Sequence, residues 1–156
     1  MDFQESENNI QELMSIFQTE SEEILERIFE NLLSLESNPN NRDLSAMLYR
    51  DLHSIKGALR MVGFNNIQNI IHKIEDIFDK IKTQNVVLDS DKIRIIYKAL
   101  ELVSFYLKES IENQREIIND DYNSMISALE YLRDVDLENS TLPENVSIAS
   151  LVTIAQ

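Results

Sequence analysis

Residues 42–63 read RDLSAMLYRDLHSIKGALRMVG. Leu44, Leu48, Leu52, Ile55, Leu59 and Val62 recur at mostly three- and four-residue steps, the period of one face of an α-helix. Gly63 fits the helix end, where the chain often turns left-handed. The same arithmetic defines the opposite face. At ~100° per residue with His53 as zero, Leu44 and Val62 fall at about 180°. Leu48, Ile55 and Leu59 lie within about 60° of that direction. His53 therefore points away from the core. Tyr49, Lys56, Gly57 and Arg60 all fall within about 60° of His53. One outward face thus gathers an imidazole, two cations, an aromatic ring and a glycine.

The helical period recurs on both sides. Over residues 6–37 it runs through Ile10, Leu13, Phe17, Ile24, Ile28, Leu32 and Leu35, with polar Thr19 to Glu23 interrupting the stripe. The first turns are therefore expected to extend beyond the core. Asn38, Pro39, Asn40 and Asn41 mark a stop and a turn. Ile67, Ile70, Ile71, Ile74, Ile77, Phe78 and Ile81 predict a third helix over 65–83. A fourth is predicted over 89–118, capped at Asp89 or Ser90, and a fifth over 121–135. The expected fold is all-α: an antiparallel four-helix bundle with an additional fifth helix. Residues 1–137 form this domain. Residues 138–156, with Pro143 and no charge after Glu144, read as a linker or tail.

Composition agrees with this and narrows the function. The 156 residues make about one domain, and only 2 Gly and 2 Pro leave few turn-formers. Lys and Arg number 14 against 28 Asp and Glu, a formal net charge of -14. Phosphate backbones and anionic membrane surfaces repel such a chain, so neither nucleic acid nor membrane is an expected partner. There is no cysteine, hence no disulfide framework and no thiolate chemistry. No signal peptide or membrane span is read, and a cytoplasmic location is expected. The charge is uneven. Residues 1–40 carry ten acids and one base, whereas residues 41–82 carry seven bases and five acids. A small anion-friendly patch on an acidic body, or an ordinary solvated face, both fit that pattern.

Candidate chemistry centres on His53. A neutral imidazole nitrogen is a nucleophile. Lys56, at i+3, is within reach of an oxyanion carried on the ring. Gly57 costs about 1 kcal/mol in a helix interior relative to alanine, yet it clears bulk beside the imidazole. Close packing against a neighbouring helix is the alternative reason for it. His72 and Glu75 form a second pair at i and i+3, readable as a solvated intrahelical pair. A carboxylate-bridged metal site would need Glu three residues before each histidine, and Arg50 and Asn69 stand there instead. No metal site is expected, and no P-loop, nucleophile elbow or dinucleotide fingerprint occurs.

The stretch His53 to Phe64, HSIKGALRMVGF, resembles the phosphoacceptor motif of histidine phosphotransfer (Hpt) domains, most closely that at the start of chemotaxis-type histidine kinases. Phe17 to Glu36 looks like the family's acidic first helix, and His72-Lys73-Ile74-Glu75 resembles its third-helix His-x-x-Glu. The resemblance covers roughly residues 10–135. It implies that His53 is the phosphorylated histidine and that Lys56 steadies the phosphoryl oxygens. Gly57 gives partners access. Glu75 bonds the other ring nitrogen, and His72 supports the same network. Two departures stand out. Leu59 and Arg60 are larger than the residues many members carry here, with Leu59 facing inward and Arg60, like Tyr49, on the partner side. The implied partners are an ATP-dependent histidine kinase domain and a response-regulator receiver. The chain itself would bind no cofactor and catalyse nothing alone, ATP and Mg²⁺ being used by those partners. The rival readings are a helical adaptor that docks a signalling partner without phosphorylation, and a metal-binding bundle.

Overall fold

The computed structural model describes residues 2–135, so the expected tail at 138–156 lies outside the described residues. Five helices form: α1 (Phe3–Ser37), α2 (Arg42–Met61), α3 (Asn65–Gln84), α4 (Ser90–Asn113) and α5 (Asp121–Asp134). No strand occurs among the described residues. α1 packs on α2 and α4, and α3 packs on α2 and α4, so these four helices surround one core. α5 lies against α3 and α4. The all-α bundle with a fifth helix is therefore as expected.

Local chemistry places the ends of α2. The Asn41 side chain accepts a hydrogen bond from the Leu44 N–H at 3.1 Å, satisfying one of the free donors of the first turn. At the other end Gly63 takes φ +81. Its N–H reaches the Arg60 carbonyl at 3.1 Å, and the Phe64 N–H reaches that of Leu59 at 3.0 Å. This is a Schellman motif, and the buried side chains of Phe64 and Leu59 complete it. Between the ends, Leu48, Leu52, Ile55 and Leu59 are fully buried. Each such side chain contributes about 1.5–3 kcal/mol relative to exposure. Arg27 of α1 also pairs with Asp51 through two nitrogens, at 3.2 and 3.4 Å. That exposed contact lies two residues before His53.

α4 begins where expected. The Asp89 side chain accepts from the Lys92 N–H at 2.9 Å and from Lys92 Nζ at 2.7 Å. Burial pushes the Asp89 carboxyl up, but the Lys92 hydrogen bonds outweigh this and hold it below its ordinary range.

Two boundaries differ from expectation. α4 stops at Asn113, not at 118. Gln114 turns left-handed at φ 54, and the Arg115 N–H bonds back to the Ser110 carbonyl at 3.1 Å. Ile117 and Ile118 prolong the apolar period in sequence, yet the chain has left the helix for a reason. Glu116 there accepts from the Asn66 N–H at 2.9 Å and the Ile67 N–H at 3.1 Å, capping α3, whose own N-cap residue makes no side-chain bond. In α1, Thr19 to Glu23 does not interrupt packing. Ser21 is buried, its hydroxyl donating to the Phe17 carbonyl at 2.6 Å, and Leu25 is buried where Ile24 was expected. The first turns do extend beyond the core: Ile10 is 53% exposed and Leu13 48%.

Candidate functional site

His53 stands mid-way along α2 with its side chain 65% exposed. Its Nδ1 lies 3.4 Å from Oε1 of Glu75, a long contact for an N–H donating to a carboxylate. Glu75 comes from α3 and is buried. The carboxylate can only accept, so the contact places the proton of the neutral ring on Nδ1. Nε2, across the ring from that contact, keeps its lone pair. A buried carboxylate needs a counter-charge. Lys56 supplies it: Nζ donates to Oε1 at 3.0 Å and lies 2.9 Å from Oε2. Oε2 is ion-paired but outside hydrogen-bond geometry with any partner. Two residues on α2 and one on α3 thus meet where these helices pack together.

The other candidates divide. Gly57 is exposed, and a Cβ built on it would meet nothing within 4 Å. Close packing against a neighbouring helix is therefore not its reason. Arg60 is exposed. Lys56 and Tyr49 are less outward than the wheel places them. The Lys56 side chain is 13% exposed, and Tyr49 is half-buried with Lys82 Nζ 5.7 Å from its ring centroid. A helical wheel has one axis and does not know where α3 lies; α3 covers this flank of the face. His72 meets Asp76, Nε2 to Oδ1 at 3.6 Å, rather than Glu75. Asp76 was missed, though its i+4 spacing from His72 was visible. Lys82 was missed because it is 33 residues from Tyr49 and no local pattern joins them.

Among the described residues no group of three or more His, Asp or Glu side chains is arranged to hold a metal ion. No helix among them is long and apolar enough to cross a membrane.

An exposed histidine backed by a buried carboxylate and a lysine thus stands on the second helix of a bundle. Residues 12–117 match the family model of the Hpt domain, and the chain belongs to that family. The chain is similar to the chemotaxis protein CheA of Borreliella burgdorferi, 27% identical over 104 residues, covering 67% of this chain and 12% of that protein. It is also similar to the sensor histidine kinase CheAY of Helicobacter pylori, 24% identical over 132 residues, covering 85% and 16%. The chain therefore spans under a fifth of the length of these relatives. Two solved structures share the fold. One is the solution structure of the histidine phosphotransfer domain of CheA (TM-score 0.73, 22% identity, 84% of this chain and 98% of that one). The other is the phosphorylated P1 domain of CheA3 in complex with CheY6 from R. sphaeroides (TM-score 0.73, 18% identity, 78% and 94%).

Proposed function

We propose that this chain is the phosphoacceptor and phosphodonor module of a chemotaxis-type two-component system, working in the cytoplasm. The Nε2 lone pair of His53 attacks the γ-phosphorus of ATP held by a histidine kinase domain. The N–P bond forms as the bond to the β-γ bridging oxygen breaks, and that oxygen leaves with ADP. The attacking nitrogen carries no proton, so no base is needed to remove one. In the second step a carboxylate oxygen of a receiver aspartate attacks the same phosphorus. The P–N bond breaks and its electron pair returns to Nε2. ATP and Mg²⁺ belong to the partners' sites.

The observation that carries this reading is the pairing of Nδ1 with buried Glu75, which orients an otherwise free ring with Nε2 outward. Lys56 is three residues away to neutralise phosphoryl oxygens. Gly57 leaves the partner an open approach. The chain supplies orientation and charge, and its partners supply the rest of the alignment that phosphoryl transfer requires.

The test mixes the chain with ATP, Mg²⁺ and a chemotaxis-kinase catalytic core, with a known Hpt domain alongside. Acid-labile, alkali-stable label that disappears in His53→Gln is the expected result. A labelled control beside a chain that never labels, even with kinases from its own genome, would overturn the proposal in favour of an adaptor.

A further inference from the structure

The apolar stripe of α1 does not end where the bundle ends. α1 has 35 residues, against 20 in α2, 20 in α3 and 24 in α4. Phe17 is its first buried residue, and its ring meets that of Phe64, just past the end of α2, with centroids 5.9 Å apart. Residues 3–16 therefore overhang the bundle by about 20 Å, at ~1.5 Å per residue. On a wheel of ~100° per residue, Phe3, Ser6, Ile10, Leu13 and Met14 all fall within about 60° of Phe17. The core stripe thus runs on in phase along the overhang. There Phe3 is 82% exposed, and Ile10, Leu13 and the flanking Ile16 are each about half exposed.

Spacing and charge say what covers such a face. Phe3, Ser6, Ile10, Leu13 and Phe17 alternate steps of three and four residues, the seam of a two-helix coiled coil. Its complement is a helix of the same spacing, and a second copy of the chain brings one in a self-complementary pairing. The overhang carries Asp2, Glu5, Glu7 and Glu12 and no Lys or Arg. All four acids lie about 60° or more from Phe17, so the seam itself holds no charge. Charge also sets the direction. Parallel overhangs would bring two bodies of -14 side by side. Antiparallel overhangs hold the two bundles about 20 Å apart, beyond the screening length of ~8 Å at physiological salt. The exposed apolar side chains amount to about 400 Å² per copy. A pairing of about 800–1,000 Å² in total is at the low end of specific interfaces, which sets a weak dimer with Kd of roughly 10–100 µM.

We infer that residues 3–16 of α1 pair antiparallel with the same segment of a second copy, making a two-fold dimer. His53 lies about 12 Å along α2 from the end beside the overhang, so both imidazoles stay open. The inference does not depend on the phosphotransfer reading.

Analytical ultracentrifugation of the whole chain tests it between about 5 and 500 µM, a range that brackets the Kd estimated above. The average mass should rise from 18.1 kDa toward twice that value. Ile10→Glu combined with Leu13→Glu puts two charges into the seam at exposed positions and should raise Kd at least tenfold, with circular dichroism and thermal melting unchanged. Leu33→Glu, equally exposed on the packed half of α1, should leave Kd within twofold. A chain that stays at the one-chain mass throughout would overturn the proposal and leave the stripe to another protein or to residues 136–156. A dimer that survives the double variant, or that Leu33→Glu weakens as much, would place the contact elsewhere and overturn it too. The chain has no cysteine, so nitroxide labels on Thr19→Cys report the direction. Antiparallel overhangs set them more than about 25 Å apart, and shorter distances would mean parallel copies and overturn the arrangement.

Discussion

Gly57→Ala separates stability from function at one atom. Gly57 lies inside α2, where glycine costs about 0.8–1.0 kcal/mol relative to alanine because its backbone loses more freedom on folding. The added Cβ would meet nothing within 4 Å, so no clash offsets the gain. The free chain should be stabilised by about 1 kcal/mol, a rise in Tm of about 3–5 °C for a domain of this size. Differential scanning calorimetry measures it. Function should move the other way as the side chain grows. A leucine at 57 projects into solvent in the free chain but into the approach of any protein that must reach His53 one turn away. Forcing bulk into a close-packed contact costs about 1–3 kcal/mol, so Gly57→Leu should raise KM for transfer by about tenfold or more while the chain stays folded. Two results would refute the reasoning. A lowered Tm in Gly57→Ala would mean the glycine does have a packing role. Wild-type transfer by Gly57→Leu would mean that this face is not where partners come.

Three further predictions follow from buried groups and backbone geometry. Lys56→Met leaves Glu75 buried without its counter-charge and should cost about 3 kcal/mol in urea unfolding, most of it recovered in Lys56→Met/Glu75→Gln, which removes both charges. Burial pushes the Tyr106 phenol up to about 12, against the hydrogen bond with Asn119. Its folded value lies above the unfolded one, so this contribution is complete below pH 10 and is lost as pH rises from 10 toward 12; the urea midpoint should fall over that window more steeply than in Tyr106→Phe. Gln114 holds a left-handed conformation at φ 54 where it closes α4, so Gln114→Gly should stabilise the chain by about 0.5–1 kcal/mol, read as a higher urea midpoint at unchanged slope.

What the sequence made legible was whatever depends on one helix at a time. The stripe from Leu48 to Leu59 and the stop at Gly63 are local, and α2 formed within a residue of expectation. So was the outward direction of His53. What depended on a second element was harder. Ile117 and Ile118 continued an apolar period that the chain abandons, because Glu116 is needed at the start of α3, some fifty residues earlier in sequence. Ser21 looked like a break in α1 because a serine buried through its own backbone carbonyl is invisible to a polarity pattern. Glu75 was placed opposite His53 only through the family resemblance, since nothing in its spacing from His53 reports that α2 and α3 meet there. Tyr49 and Lys56 were set too far outward for the same reason.

The geometry also answers a conflict built into the proposed role. A nucleophile that two large partners must reach in turn has to be exposed, yet an exposed imidazole has no fixed direction. Here the direction comes from behind the helix, across the seam with α3. Glu75 is buried and held by Lys56, so its 3.4 Å contact with Nδ1 comes from a fixed carboxylate. The same burial demands a cation, and Lys56, three residues on from His53 in α2, supplies it. Orientation and charge therefore both trace to a single carboxylate in the α2–α3 seam. On the open side Gly57 has no side chain, and among the described residues nothing lies within 4 Å of where its Cβ would stand. Order is confined to the buried side, and the open side is left for the partner to complete.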